Sequence, residues 1–345
     1  MTEHRAPTST FLERVIPASS PVTRWLHPAR GLIALATLLT LALDPGTTLF
    51  HSSDPATSAA PECSGVPSIG LFCLADDPDI ARWIGVSLLC TVILGLFPPV
   101  SAVLHWYVSV SVFWTITPME GGDQLAAIVT LFLIPVCLSD TRLIVWRGSP
   151  SPGNRVVNIV GNTALLLIAA QLVIVYANSA IAKFSSTPWV EGTALWYWMQ
   201  HPAFGAPQWL YGPALDLLAA PAGAAVITWG TIALELFIMA TIFSTDRRIR
   251  RAGWAAGVFF HLVIAVVIGL VTFGMVMAGA LTLALLVRPA VGQTAPKAEA
   301  DDSGTESDLP LPEQLEDKAE PVTTEGSADA ETTERLVPDV KVERA

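Results

Sequence analysis

The chain has 345 residues, 52% of them hydrophobic and 14% charged, and its several long apolar runs exceed what a soluble core requires. That excludes a soluble globular protein and predicts an all-α integral membrane fold, a bundle of about eight transmembrane helices in contact with the lipid bilayer. The net charge of −11 is local: Val291–Ala345 holds 15 acidic and 5 basic residues, a net of −10, so the first 290 residues carry the remaining −1.

In chain order, residues 1–24 read as a cytoplasmic N-terminal segment, residues 25–288 as the transmembrane domain and residues 289–345 as a disordered acidic cytoplasmic tail. Apolar runs and turn signals predict spans at Trp25 to Leu43, Ile80 to Leu96, Ser101 to Thr115, Gln124 to Leu138, Val156 to Asn178, Pro221 to Phe243, Gly253 to Leu270 and Thr272 to Val287. The first resembles a signal-peptide core, but no small-residue cleavage site follows closely, so a retained helix is expected. Spans two to four fall short of the roughly 20 residues a bilayer needs, and Pro98, Pro99 and Pro135 mark kinks or re-entrant turns. The apolar run from Gly253 to Val287 is too long for one ordinary span and is expected to break near Gly269 to Phe273 as a tight helical hairpin. Basic residues cluster at Arg5 to Arg30, Arg142 to Arg155 and Arg247 to Arg251. With eight spans all three clusters fall on one side, which predicts a multi-pass protein of the cell membrane with both termini cytoplasmic.

That topology puts the loop from Asp44 to Asp79 outside, where an oxidising exterior permits a disulfide between Cys63 and Cys73, the alternative being two unpaired thiols. Cys90 and Cys137 lie in spans and read as small buried residues. No CxxC pair, zinc spacing or HExxH occurs, so no metal is expected, and neither phosphate-cradling loops nor nucleic-acid modules are present.

Ionisable residues in or at the ends of spans are the remaining candidates, since burial makes them costly. Tyr176, Ser179 and Lys183 share one face if span five continues as a helix, which puts Lys183 at the outer border. A lysine there is either an anchor that snorkels to the headgroups or a desolvated base. Asp123 and Glu191 are its expected acidic partners. After it come Trp189, Trp196, Tyr197, Trp198, Trp209 and Tyr211, interleaved with Pro and Gly, forming an interfacial aromatic belt or a groove for an amphipathic peptide or lipid-soluble cofactor. In spans six and seven, Glu235 and His261 each sit about 12 Å from the inner boundary at 1.5 Å per residue and are expected to pair as an intramembrane polar layer. Thr228 and Thr231 share the face of Glu235. By the same count this layer is about 15 to 20 Å from Lys183.

The order of WY and GGDQL (Trp106, Tyr107, Gly121 to Leu125), Lys183 with WVEGTA (Trp189 to Ala194), and FFH with GLVTFGM (Phe259 to His261, Gly269 to Met275) resembles the HTTM-domain membrane proteins. That family is related to vitamin K-dependent gamma-carboxylase, and the chain is most similar to its sporulation-delaying protein B group over residues 25–288. In the carboxylase a lysine in similar context is the base that deprotonates the reduced quinone, so the resemblance implies Lys183 for that role. The chain departs from the carboxylase where GGDQL carries Asp123 and no histidine, and it lacks the large lumenal domain. The group is implied to act with a small soluble partner in producing or maturing a secreted peptide toxin. The expectation is therefore a component of antimicrobial-peptide maturation that uses Lys183 and Asp123 as catalytic candidates and Trp189, Glu191, Trp196, Tyr197 and Trp198 to bind the peptide precursor. Two alternatives stand beside it: a quinone-linked enzyme with Lys183 as base, and a proton-coupled transporter or assembly scaffold built on Glu235 and His261.

Overall fold

The computed structural model describes residues 16–50, 60–116, 121–150, 153–202 and 205–289. All of these lie within one compact unit. The expected tail lies, apart from its first residue, outside the described residues, as does most of the expected N-terminal segment.

Among the described residues the secondary structure is helical, with an isolated bridge between Leu96 and Ile144 and no strand. The main helices are α1 (Leu26–Leu43), α2 (Pro78–Ile93), α3 (Pro98–Thr115), α4 (Gly121–Cys137), α5 (Arg155–Phe184), α6 (Gln208–Ala219), α7 (Pro221–Ile242), α8 (Arg247–Ile268) and α9 (Val271–Thr282), the last continued as a π-helix over Leu283–Val287. Helices thus occupy all eight places expected. Four of them, α1, α5, α7 and α8, are long and apolar enough to cross a membrane, while Gly121–Cys137 and Val271–Val287 are shorter apolar helices.

Local chemistry explains the boundaries. Asn154 and Asp246 accept hydrogen bonds from the Val156 and Arg248 backbone N–H groups and so cap α5 and α8. The cap at Asp246 starts α8 inside the basic turn rather than at the expected Gly253. The expected end of α5 at Asn178 is also corrected, because Ser179 to Lys183 contains no breaker and the helix runs on to Phe184. Gly269 ends α8 as expected, adopting φ +83°, a left-handed conformation that a side chain disfavours. Arginines finish other helix ends: the half-buried Arg82 donates to the Leu41 and Asp44 carbonyls, and the buried Arg288 donates to the Ile242 carbonyl.

The core sits around α9, which packs on α1, α4 and α8, with its π-helical end against α5. Ile33, Leu133, Leu165, Leu172, Ile238 and Leu281 meet there, all but fully buried. A second cluster, including Leu41, Leu89 and Val108, joins the other side of α1 to α2 and α3. On the outside, Val226 of α7 and Phe259, Leu262 and Val266 of α8 are exposed. Such continuous apolar surface suits lipid rather than water as the surrounding solvent.

Candidate functional site

The site begins with one face of α5. Its thirty residues extend about 45 Å, and Tyr176, Ser179 and Lys183 line up toward α7 and α8, as their spacing predicts. The Lys183 stem runs back along the helix, so that Nζ donates to Ser179 Oγ at 2.6 Å and lies 2.9 Å from both carboxylate oxygens of Glu235 on α7. Side-chain exposure is 15% for Lys183 and 7% for Glu235, so the ion pair is largely desolvated. Ser179 Oγ also lies 3.3 Å from each Glu235 oxygen. The indole of Trp189 covers Nζ at 5.1 Å, a cation–π contact.

One step down α5, Tyr176 Oη lies 3.1 Å from His261 Nε2 on α8. Phe273 of α9 meets the same imidazole edge-on, with centroids 5.4 Å apart. Lys183 and Glu235 form the polar floor of a cavity of about 730 Å³ whose walls are otherwise mostly apolar. Trp189, Trp198 and Met199 contribute from the aromatic segment, Leu217 from α6, and Phe260 and Val267 from α8. Thr231, one turn from Glu235 on α7, adds a further polar group. The aromatic segment reaches this place because Gly192 takes φ +76° and brings its backbone close to Ala225 of α7. A side chain at that position would meet both a strained backbone and the facing helix.

Residues 152–289 match the HTTM domain family. Over 286 residues the chain is 30% identical to the sporulation-delaying protein SdpB of Bacillus subtilis (strain 168), covering 79% of this chain and 84% of that protein. The chain belongs to the HTTM-domain family and is SdpB-like. It is also 32% identical over 271 residues to the uncharacterized protein YitO of Bacillus subtilis (strain 168), covering 77% of this chain and 86% of the relative. No solved structure matches it. The HTTM match spans α5 to α9, and with them every group of the site above.

In this SdpB-like protein the sequence-derived depths need correction. Glu235 is not 15 to 20 Å from Lys183 but bonded to it, and no Glu235–His261 bond forms, since His261 pairs with Tyr176. The depth count fails because α5, about 45 Å long, exceeds the roughly 30 Å hydrocarbon thickness, so its ends do not mark membrane boundaries. The lysine side chain adds to the error by pointing back one turn. Asp123 sits in the first turn of α4, next to Gly122, which packs on Phe273, and the ion pair of Lys183 is with Glu235 instead. Glu191 is exposed and outside the cavity. Of the expected binding aromatics, Trp189 and Trp198 line the cavity, Trp196 packs beneath it beside Met199 and Leu218, and Tyr197 is exposed. Cys63 and Cys73 are joined in a disulfide.

The sequence reading missed the contribution of α6 and α8 to the cavity walls, since these residues are apolar and carry no chemical signature. It also missed a second polar group near the start of α1. There, His27 Nε2 lies 2.7 Å from Asp140 Oδ2, and Arg142 bonds both oxygens of the same carboxylate. Burial pushes the Asp140 carboxyl up, but the hydrogen bonds from Arg142 and His27 outweigh it and hold it below its ordinary value of 3.8. A histidine and an arginine within one turn at the border of an apolar run were the available signal.

Proposed function

We propose that this protein is a multi-pass membrane component in the production or maturation of a secreted toxin peptide, with the cavity above Lys183 and Glu235 receiving an apolar stretch of the peptide precursor. The observation that carries the reading is the cavity itself: apolar walls, an aromatic rim and one buried ion pair at the floor, all within the part matched to the HTTM family. An apolar peptide segment gains free energy on entering such walls, at about 25 cal/mol per Å² of buried apolar surface, while the ion pair offers hydrogen bonds to a peptide group. Eight spans with both termini cytoplasmic would put the aromatic segment and the disulfide on the outer side, where a secreted precursor emerges. A small soluble partner completes the proposal. The decisive experiment replaces Lys183 with Ala in a producing strain and follows the mass and toxicity of the secreted peptide alongside the amount of the protein in the membrane. Loss of active peptide at normal protein level is expected. An unchanged mass and toxicity would end the reading.

A second reading is favoured by the same apolar walls with one polar end, which fit the ring and chain of a reduced quinone. When bound, such a cofactor supplies electrons for oxygen-dependent chemistry. Lys183, Ser179 and Thr231 would hold its polar ring, and Trp189 and Phe260 would flank its apolar part. Nζ is already engaged by Ser179 and Glu235, so a basic role requires Glu235 to take the lysine proton, leaving a neutral amine and a neutral acid. Oxygen uptake by the purified protein that depends on both quinol and Lys183 supports this reading, and none in the presence of precursor peptide excludes it.

A further inference from the structure

A second buried polar seam lies outside the HTTM match, where α1 faces α3. Arg30 of α1 is 1% exposed and donates from Nη2 to Ser101 Oγ at 2.8 Å, while Nε and Nη1 have no acceptor among the described residues. One turn further along α3, His105 is 0% exposed with both ring nitrogens unpartnered. Ser101 and His105 are four residues apart and share a helix face, so the serine that Arg30 bonds lies one turn from the imidazole. Among the described residues the charged groups around the seam are Arg30, Asp140 and Arg142. Asp140 is committed to Arg142 and His27, so among the described residues Arg30 is left as an uncompensated cation.

A guanidinium cannot shed this charge by losing a proton, and an unpaired buried cation is strongly destabilising. The free groups are also mostly donors: Arg30 Nε–H, Arg30 Nη1–H and one N–H of the His105 ring. The Ser101 hydroxyl adds no further donor, since it gives its proton to the Phe97 carbonyl. A water molecule would accept from these donors but leave the positive charge in place. We propose that the seam between α1 and α3 binds a small monovalent anion, a halide or a monocarboxylate of formate size, with Arg30 supplying the charge and His105 a second donor. The near-complete burial of both side chains, away from any surface a headgroup could reach, points to a small free ion rather than a lipid headgroup.

The full-length protein in detergent tests this by thermal unfolding at constant ionic strength. Chloride or formate replacing gluconate raises the midpoint by roughly 5 °C when the site is saturated about a hundredfold over its Kd. Sulfate, which stabilises proteins generally by exclusion from their surface, gives a smaller rise than chloride. Arg30→Met abolishes the chloride dependence, and His105→Phe, which keeps a ring of similar shape, shifts the half-saturating chloride concentration upward at least about tenfold, the loss of one hydrogen bond to a charged ligand. Lys183→Ala leaves the dependence intact. Equal midpoints in chloride and gluconate, a sulfate effect as large as that of chloride, or an unaltered chloride response in His105→Phe would each overturn the proposal, whether or not Arg30→Met folds.

Discussion

Glu235→Gln provides a quantitative test of the site. Unit charges 2.9 Å apart attract by about 6 kcal/mol at an effective dielectric constant of about 20, and most of that offsets the desolvation of the two groups. The net worth of the pair is therefore small, but removing one partner is not symmetrical with removing both. With glutamine at 235, the Lys183 ammonium keeps a neutral amide oxygen, Ser179 and the Trp189 ring as neighbours but loses its countercharge in a cavity of low polarity. Breaking a buried pair in this way costs about 3 to 5 kcal/mol, and the 15% exposure of Lys183 places the expected value at the lower end, about 3 kcal/mol. Lys183→Met leaves the Glu235 carboxylate with Ser179 and costs a similar amount. The double variant Lys183→Met, Glu235→Leu removes both charges and is expected to unfold within about 1 kcal/mol of the parent. For a body of this size each kcal/mol moves the thermal midpoint by about 2 to 4 °C, so the single variants fall by roughly 6 to 12 °C and the double variant hardly moves. Midpoints in detergent, read by intrinsic tryptophan fluorescence for the parent, Lys183→Met, Glu235→Leu and the double variant, complete the double-mutant cycle. If the double variant falls by the sum of the single effects, Lys183 and Glu235 are not coupled and the site as described is wrong. The double variant also separates folding from function, because it is expected to be stable and yet to abolish production of the active peptide.

Tyr176→Phe removes the hydroxyl that meets His261, leaving a buried ring nitrogen unsatisfied. The expected loss is about 1 to 3 kcal/mol in denaturant unfolding, with the Lys183–Glu235 pair intact. Asp140 predicts an acid limb of stability. Its folded carboxyl titrates below the ordinary 3.8, so its contribution is complete above that value and is lost as the pH falls through the lowered one; Asp140→Asn flattens this limb in midpoint-against-pH curves. Reducing the Cys63–Cys73 disulfide, which closes a loop with a sequence separation of 10, lowers stability by about 2 to 3 kcal/mol on the chain-entropy account. Thiol alkylation before and after reduction, read by mass, reports the bond directly. Gly192→Ala combines a disfavoured φ with a clash against Ala225 and is expected to cost about 1 to 3 kcal/mol and to open the aromatic rim, measured as faster quenching of tryptophan fluorescence by iodide.

Periodicity and punctuation made most helices legible. Runs of apolar residues cannot satisfy their backbone groups in a bilayer except as helices, so α1, α5, α7 and α8 follow from hydropathy alone. Gly269 was readable as a terminator for the same reason that it is one: a left-handed residue stops the helix. The face carrying Tyr176, Ser179 and Lys183 was readable too, because helical spacing is local. Which helix that face meets, and at what height, was not. Lateral pairing depends on tilt, on helix overhang and on side-chain direction, and none of these leaves a local trace in the sequence. Asp123 and Glu191 were plausible partners for Lys183 by loop position, yet Glu235, counted into another layer, won because α5 continues past Asn178. The Arg30, His105 and Asp140 groups stand far apart in the chain, and only the packing of α1, α3 and the segment after α4 unites them.

The two polar interiors differ in charge balance, and this difference decides what each can bind. At Lys183 a cation and a carboxylate neutralise each other, and Ser179 serves both, so an incoming group need not bring a charge. A charged ligand would have to break the pair, at the cost worked out for Glu235→Gln. The cavity therefore selects an uncharged polar group at the end of an apolar body, a description that a peptide segment and a quinol both meet and a soluble charged metabolite does not. At Arg30 the balance is opposite: its cation lacks a carboxylate partner, the neighbouring free groups are mostly donors, and burial restricts the ligand to a small one. Occupancy of the seam therefore should leave peptide production dependent on Lys183 while changing the stability of the helices that flank it. The anion dependence of unfolding and the Lys183 dependence of the secreted peptide consequently test two separate features of one fold, and either can fail without the other.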